Sequence, residues 1–266
     1  MRILLTNDDG IHSPGLWAVA EALKGVGEVT VVAPDRDQSG IGTAMTLLGV
    51  VRAQEITSPI DDVKAFSVEG TPADCVILAT VELVKQPFGL VVSGINPGSN
   101  MGMDVVVSGT VGGAIQGYLR GIPSLAVSVA SITDVLFEAA AQTAKAIAEG
   151  ISNNSMPAPL LLNVNLPNVG ADKIERVEIT GLGPGTYLAG VERVHDGRRT
   201  LYWIRHNRPV TAPVEEGTDI WAVRNNRVSI TPLNLPFGLG KPSLSFDALG
   251  DVLAREVALE LGLKRS

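Results

Sequence analysis

The chain has 266 residues and a formal net charge of −7, with no basic run, which excludes a nucleic-acid duplex held through its backbone. Hydrophobic residues make up 45% of it and aromatics only 4%, so the core must be built from Val, Leu, Ile and Ala. The single Cys75 excludes an internal disulfide and any multi-cysteine metal site. No apolar run approaches the ~18 residues of a membrane span, and no basic stretch followed by an apolar one opens the sequence, so a cytoplasmic protein with no membrane partner is expected.

Ile3, Leu4 and Leu5 read as a strand covered on both faces. It ends in Thr6-Asn7-Asp8-Asp9-Gly10. Ser13-Pro14 predicts a helix start, with Leu16, Val19, Ala20 and Leu23 on one face. Residues 28–33 are a second strand, running into Pro34-Asp35-Arg36-Asp37-Gln38-Ser39-Gly40. Residues 50–53 and 65–68 read as short strands around a turn near Ser58-Pro59. Thr71-Pro72-Ala73-Asp74 is a capping box opening a helix to about Lys85. Residues 89–93 are a strand, followed by a glycine-rich loop to Gly102. Ser108-Gly109-Thr110 opens a helix of small residues over 111–119, able to pack close to a sheet. Residues 123–129 are a strand, 131–134 cap an alanine-rich helix to about Gly150, and 159–164 are a further strand. Strands and helices alternate, which predicts an α/β fold with a mostly parallel, doubly wound sheet flanked by helices.

From Gly170 the pattern changes. Residues 174–180, 191–195 and 200–205 read as antiparallel strands, with Asp196-Gly197 in a hairpin turn. Residues 219–223 are a short helix, 227–231 a strand, 232–242 a loop and 247–263 an amphipathic helix. One domain is expected over 1–266, with a core at about 1–170, an antiparallel hairpin region at about 174–213 and a C-terminal helix at about 247–263. Tyr187, Tyr202 and Trp203 in the hairpin and the apolar stripe of the last helix predict contacts in a homodimer or homotetramer.

Three polar stretches, Asn7-Asp8-Asp9, Gln38-Ser39-Gly40 and Gly94-Ile95-Asn96, follow three strands of the expected parallel sheet. They therefore share the edge where open α/β sheets bind ligands. Adjacent carboxylates at Asp8 and Asp9 repel one another, and fit either a solvated acidic turn or a cation held between them. Two carboxylates, a hydroxyl and an amide oxygen are hard donors, suited to Mg²⁺, Mn²⁺ or Ca²⁺ and unsuited to zinc. Taken alone, Ser39 and Asn96 read as turn residues. Gly94, Gly98 and Gly102 fit an anion cradle or tight turns. No G-x-G-x-x-G fingerprint follows the first strand, no Lys follows Gly102 as in a Walker loop, and no G-x-S-x-G elbow is present.

ILLTNDDGIHSPG from Ile3, APDRDQSG from Ala33, VEGTPADCV from Val68, VVSGINPGSNMG from Val91, SGTVGGA from Ser108, NVNLP from Asn163, and EGTDIWAV with SITPL from Glu216 and Ser229 together resemble the SurE family, the stationary-phase survival proteins. The resemblance implies a Rossmann-like core with a projecting hairpin, and oligomers that exchange C-terminal elements. It implies a metal-dependent nucleotidase releasing phosphate from nucleoside 5′- or 3′-monophosphates, or from other small phosphomonoesters. It also implies metal ligands at Asp8, Asp9, Ser39 and Asn96, with one divalent cation, Mg²⁺ or Mn²⁺, per subunit. On this reading Asp8 or Asp9 orients or deprotonates the attacking water. Asn7, Gly98, Ser99 and Asn100, with Ser108, Gly109 and Thr110, hold the phosphate. The sequence departs from the family at Val107, commonly aromatic, and at Gln116, commonly acidic. The alternative is a non-catalytic nucleotide-binding or interaction protein on the same fold.

Overall fold

The N-terminal apolar run forms β1 (Arg2–Thr6), and strand alternation sends its side chains into two separate cores. Ile3 and Leu5 pack into one and Leu4 into the other. In this computed structural model, residues 1–156, 160–184, 189–206, 214–233 and 246–263 are described. Within them the chain runs β1, α1 (Pro14–Lys24), β2 (Glu28–Pro34), β3 (Ala53–Ile56), β4 (Lys64–Val68), α2 (Pro72–Leu78), β5 (Leu90–Pro97), α3 (Gly109–Tyr118), β6 (Ser124–Val129), α4 (Glu138–Ser152), β7 (Leu161–Leu166) and β8 (Val177–Ile179). It continues through β9 (Ala189–His195), β10 (Thr200–His206), α5 (Asp219–Arg224), β11 (Val228–Pro232) and α6 (Phe246–Glu260).

One nine-stranded sheet has the order β3-β4-β2-β1-β5-β6-β7-β11-β8, parallel from β4 through β7. Helices α1, α4 and α6 pack together on one face, and α2 and α3 on the other. The chain leaves β1 for β2 on one side and later returns to β5 on the other. The crevice beyond the carboxyl ends of β1 and β5 is thus the switch point where this architecture binds ligands. On the second face α3 lies close to the sheet. A Cβ at Gly113 would meet the Ser93 Oγ, and one at Gly117 the Ser124 Oγ, so the small-residue helix is a packing requirement.

Several expected elements form with shifted edges. Thr71 and Asp74 make the reciprocal capping box, but α2 gives way at Ala79 to a π-helical turn, Ala79–Leu83. Ser13 stands at the N-cap of α1 without a side-chain capping bond. Residues 131–134 do not cap α4. The Ser131 hydroxyl is spent on the Thr133 carbonyl, Asp134 takes a left-handed φ of 48°, and the helix starts only at Glu138. β7 starts at Leu161 and runs on to Leu166. Asn96 lies inside β5, beyond an irregularity at Ser93/Asn96, rather than in a loop after the strand.

The larger corrections concern the second half. β8 is not antiparallel and does not belong to the hairpin. It pairs in parallel with β11, which itself runs antiparallel beside β7. Only β9 and β10 form the antiparallel hairpin, turning at Asp196 and at Gly197 with φ 89°. Trp203, Tyr202 and Ile204 on it are exposed, whereas Tyr187 lies outside the described residues, as does the chain from 234 to 245. Part of the stripe of α6 is covered by the same chain: Leu253 and Val257 are fully buried in the core shared with α1 and α4, whereas Leu259 is exposed, and Glu260 pairs with Lys145 of α4 at 2.6 Å.

Candidate active site

The site begins where β1 stops being apolar. Thr6, Asn7 and Asp8 are buried despite their polarity, and buried polar groups need partners. Asn7 donates its amide to the Gly10 carbonyl at 2.9 Å, closing the turn. The β2 loop is stitched to it, since the Gln38 N–H donates to the Asp8 carbonyl at 2.7 Å and the Ile11 N–H to the Pro34 carbonyl at 2.8 Å. These backbone bonds hold the Asn7-Asp8-Asp9 and Gln38-Ser39-Gly40 stretches side by side.

Asp8 faces the start of α3. The Thr110 hydroxyl donates to its Oδ1 at 2.5 Å, and the Thr110 N–H is a second donor. Gly109 allows this approach, because a Cβ there would lie 2.8 Å from both Cβ and Oδ2 of Asp8. Burial still pushes the Asp8 carboxyl above its ordinary value, with the Thr110 bonds opposing it. Asp9 is pushed from 3.8 to about 7, first by burial, then by the charges of Asp8 and Asp37. Its Oδ2 is buried with no hydrogen-bond partner among the described residues, as is the Asn7 Oδ1. A carboxylate oxygen left bare beside another carboxylate costs free energy that a cation would offset.

The remaining expected donors are oriented by their own neighbours. The Ser39 hydroxyl donates to Asp37 Oδ1 at 2.6 Å, leaving its lone pairs available as a neutral oxygen donor. Asn96 spends its NH₂ on the carbonyls of Gly98 at 2.6 Å and Pro97 at 3.3 Å, so Oδ1 is the end left to meet a cation. Among the described residues no cluster of three or more His, Cys, Asp or Glu could hold a metal. The donor set here is of another kind, two carboxylates, a hydroxyl and an amide oxygen, and it fits a hard divalent ion.

Asp8, Ser39 and Asn96 line one cleft of about 800 Å³, together with Gly98, Ser99, Asn100 and Ser108. Asn7, Asp9, Gly109 and Thr110 stand outside its lining. Ser108 accepts from the Val111 N–H at 3.1 Å as the N-cap of α3. The negative end that meets this helix N-terminus is thus the Asp8 carboxylate itself. Val107 lines the cleft half-exposed, and Gln116 is buried on Arg120, away from the cleft.

Two sets of side chains escaped the sequence reading. Asn163 and Asn165, both fully buried in β7, hold the main chain of Asn100: its N–H donates to Asn165 Oδ1 at 2.8 Å, and its carbonyl accepts from Asn163 at 2.7 Å. Their spacing of two on a buried strand puts both on one face, which was the available signal. Asp37, charged beside Asp9 and bonded to Ser39, had no distinguishing mark in its polar turn.

A mostly parallel α/β sheet with an acidic, oxygen-lined cleft at its switch point defines a Rossmann-like protein. The family profile described as Survival protein SurE matches residues 3–188. The chain is 46% identical over 237 residues to the 5′-nucleotidase SurE of Dehalococcoides mccartyi strain CBDB1, covering 88% of this chain and 89% of that protein. It is 44% identical over 237 residues to the 5′-nucleotidase SurE of Geobacter sulfurreducens, with 88% of each covered. The crystal structure of the SurE protein from Aquifex aeolicus superposes with a TM-score of 0.76 at 40% identity, over 89% of this chain and 94% of that one. The chain belongs to the SurE family.

Proposed function

We propose that this protein is a divalent-metal-dependent phosphatase that hydrolyses nucleoside 5′- or 3′-monophosphates to nucleoside and phosphate. The observation that carries the proposal is the bare, buried Asp9 Oδ2 beside Asp8, which itself lines the switch-point cleft. The names of the relatives supply the substrate class. Asp8, Asp9, Ser39 and Asn96 would hold one Mg²⁺ or Mn²⁺. When bound, that ion offsets the charge building on the phosphoryl oxygens. Asp8 is committed to Thr110, while Asp9 Oδ2 is committed to nothing among the described residues. That difference supports Asp9 as the group that orients the attacking water and takes its proton. Backbone N–H groups of residues 98–100, with the Ser108 hydroxyl, would receive the phosphate. The exposed apolar side chains of β9 and β10 support a homodimer or homotetramer.

Phosphate release from a panel of nucleoside monophosphates tests the reading. Turnover should require Mg²⁺ or Mn²⁺ and stop reversibly with chelator. Nucleotide binding without release under every metal would favour the non-catalytic alternative, and restoration by Zn²⁺ alone would exclude the all-oxygen site.

A further inference from the structure

Asp219 is a fully buried carboxylate at the first position of α5. It is not needed as the helix cap. Thr218 holds that post, accepting from the Trp221 N–H at 3.4 Å while donating to the Glu215 carbonyl at 2.7 Å. The carboxylate instead gathers three separate segments. Its Oδ2 accepts from the Gly102 N–H at 2.7 Å, and its Oδ1 from the N–H groups of Gly183 and Ile220, each at 2.8 Å. Burying a carboxylate is costly unless such bonds satisfy it. An amide could not replace it, having one acceptor oxygen where the two oxygens are used on different sides.

Gly102 heads the 3-10 turn Gly102–Val106, with φ 56°. From there the chain goes to Val107, whose carbonyl accepts from Gly42 N–H at 2.9 Å close to Ser39, and to Ser108 at the start of α3. Upstream, Asn100 is already pinned by Asn163 and Asn165. The segment from Asn100 to Ser108 forms one wall of the cleft, and Ile220 and Val223 of α5 form part of another. Asp219 is therefore the bond between the two walls.

We propose that Asp219 is a positioning residue for the reaction, fixing the turn at Gly102 so that the Asn100–Ser108 wall receives the phosphate in register with Asp8. This rests on the phosphatase reading above, and adds to it a residue that touches neither substrate nor metal.

The test compares Asp219→Ala and Asp219→Asn with the wild type in the full chain. Four quantities are measured: unfolding temperature, Mn²⁺ affinity by calorimetry, affinity for inorganic phosphate at saturating Mn²⁺, and kcat and KM on a nucleoside 5′-monophosphate, all well below the unfolding temperature. Phosphate affinity should weaken at least about tenfold and kcat/KM fall by about 10², while Mn²⁺ affinity stays within about threefold because Asp8 and Asn96 keep their own anchors. Asp219→Asn, retaining one acceptor, should lie between. Wild-type phosphate affinity and kinetics in folded variants overturn the proposal, however far the unfolding temperature drops. So does a loss of Mn²⁺ affinity in step with phosphate affinity, and so does failure of both variants to fold. A wild type that binds phosphate but releases none from nucleotides would sink the phosphatase reading alone. The affinity comparison would then still decide Asp219.

Discussion

Gly109→Ala isolates the contact between α3 and Asp8. The added Cβ would stand 2.8 Å from Cβ and Oδ2 of Asp8 and 3.1 Å from Cγ2 of Ile41. An ordinary carbon contact is about 3.5–4.0 Å, so the Asp8 carboxylate must move by roughly 0.7–1.2 Å. That movement breaks its short bond from Thr110. Misplacement by about 1 Å costs on the order of 10²-fold in turnover, or about 2.7 kcal/mol of barrier. The effect on stability is smaller because two contributions oppose. Alanine favours the helix by at most about 0.5–1 kcal/mol, and overpacking costs about 1–3 kcal/mol. The variant should stay folded, losing at most about 2.5 kcal/mol, while kcat/KM with Mn²⁺ falls about 10²-fold. Phosphate release and thermal unfolding, run on the same preparation, measure both. Wild-type kcat/KM in a folded Gly109→Ala protein would refute the claim that Asp8 must lie against this glycine.

Asp9→Asn should abolish turnover and stabilise the metal-free fold. The Asp9 carboxyl sits at about 7, above its unfolded value of 3.8, so the folded chain favours the protonated form. The penalty is absent below about pH 4 and complete above about pH 7. In chelator, the stability advantage of Asp9→Asn over wild type should thus widen across that interval, and Mn²⁺ should close it; a gap independent of pH would contradict the assignment. Ser108→Ala removes the cap of Val111, for a loss of about 0.5–2 kcal/mol. It should also weaken inorganic phosphate binding about tenfold; unchanged phosphate affinity would leave Ser108 a cap only. Leu253→Ala should cost about 2–5 kcal/mol, since Leu253 is fully buried within its own chain. Sedimentation should show the same assembly as wild type, and dissociation would restore α6 as a subunit contact.

What could be read from the sequence was whatever depends on near neighbours. The strand–turn–helix from β1 to α1 and the Thr71/Asp74 box are set within a few residues, and both formed. The shared edge of Asp8, Ser39 and Asn96 followed from strand–helix alternation alone. Misreadings occurred where a distant partner decided. The start of α4 is delayed because Asn168 bonds the Leu136 N–H and the Asp134 carbonyl. β8 found a parallel neighbour whose paired residues lie 51 positions downstream, and no local pattern encodes that choice. Asp219 resembled an ordinary helix-start acid, because its Gly102 partner lies 117 residues away.

The two open margins of the nine-stranded sheet bear on how copies of this chain can meet. At one margin β3 spans four residues and carries Gln54 and Glu55, both exposed. At the other β8 spans three, and its Glu178 is tied to Arg176 and Arg227 across the rim. Short, charged margins leave too little uninterrupted backbone for a further strand to zip on. Growth by strand addition at either margin of this sheet is thereby disfavoured. Contacts between copies at these two margins would have to be made through side chains.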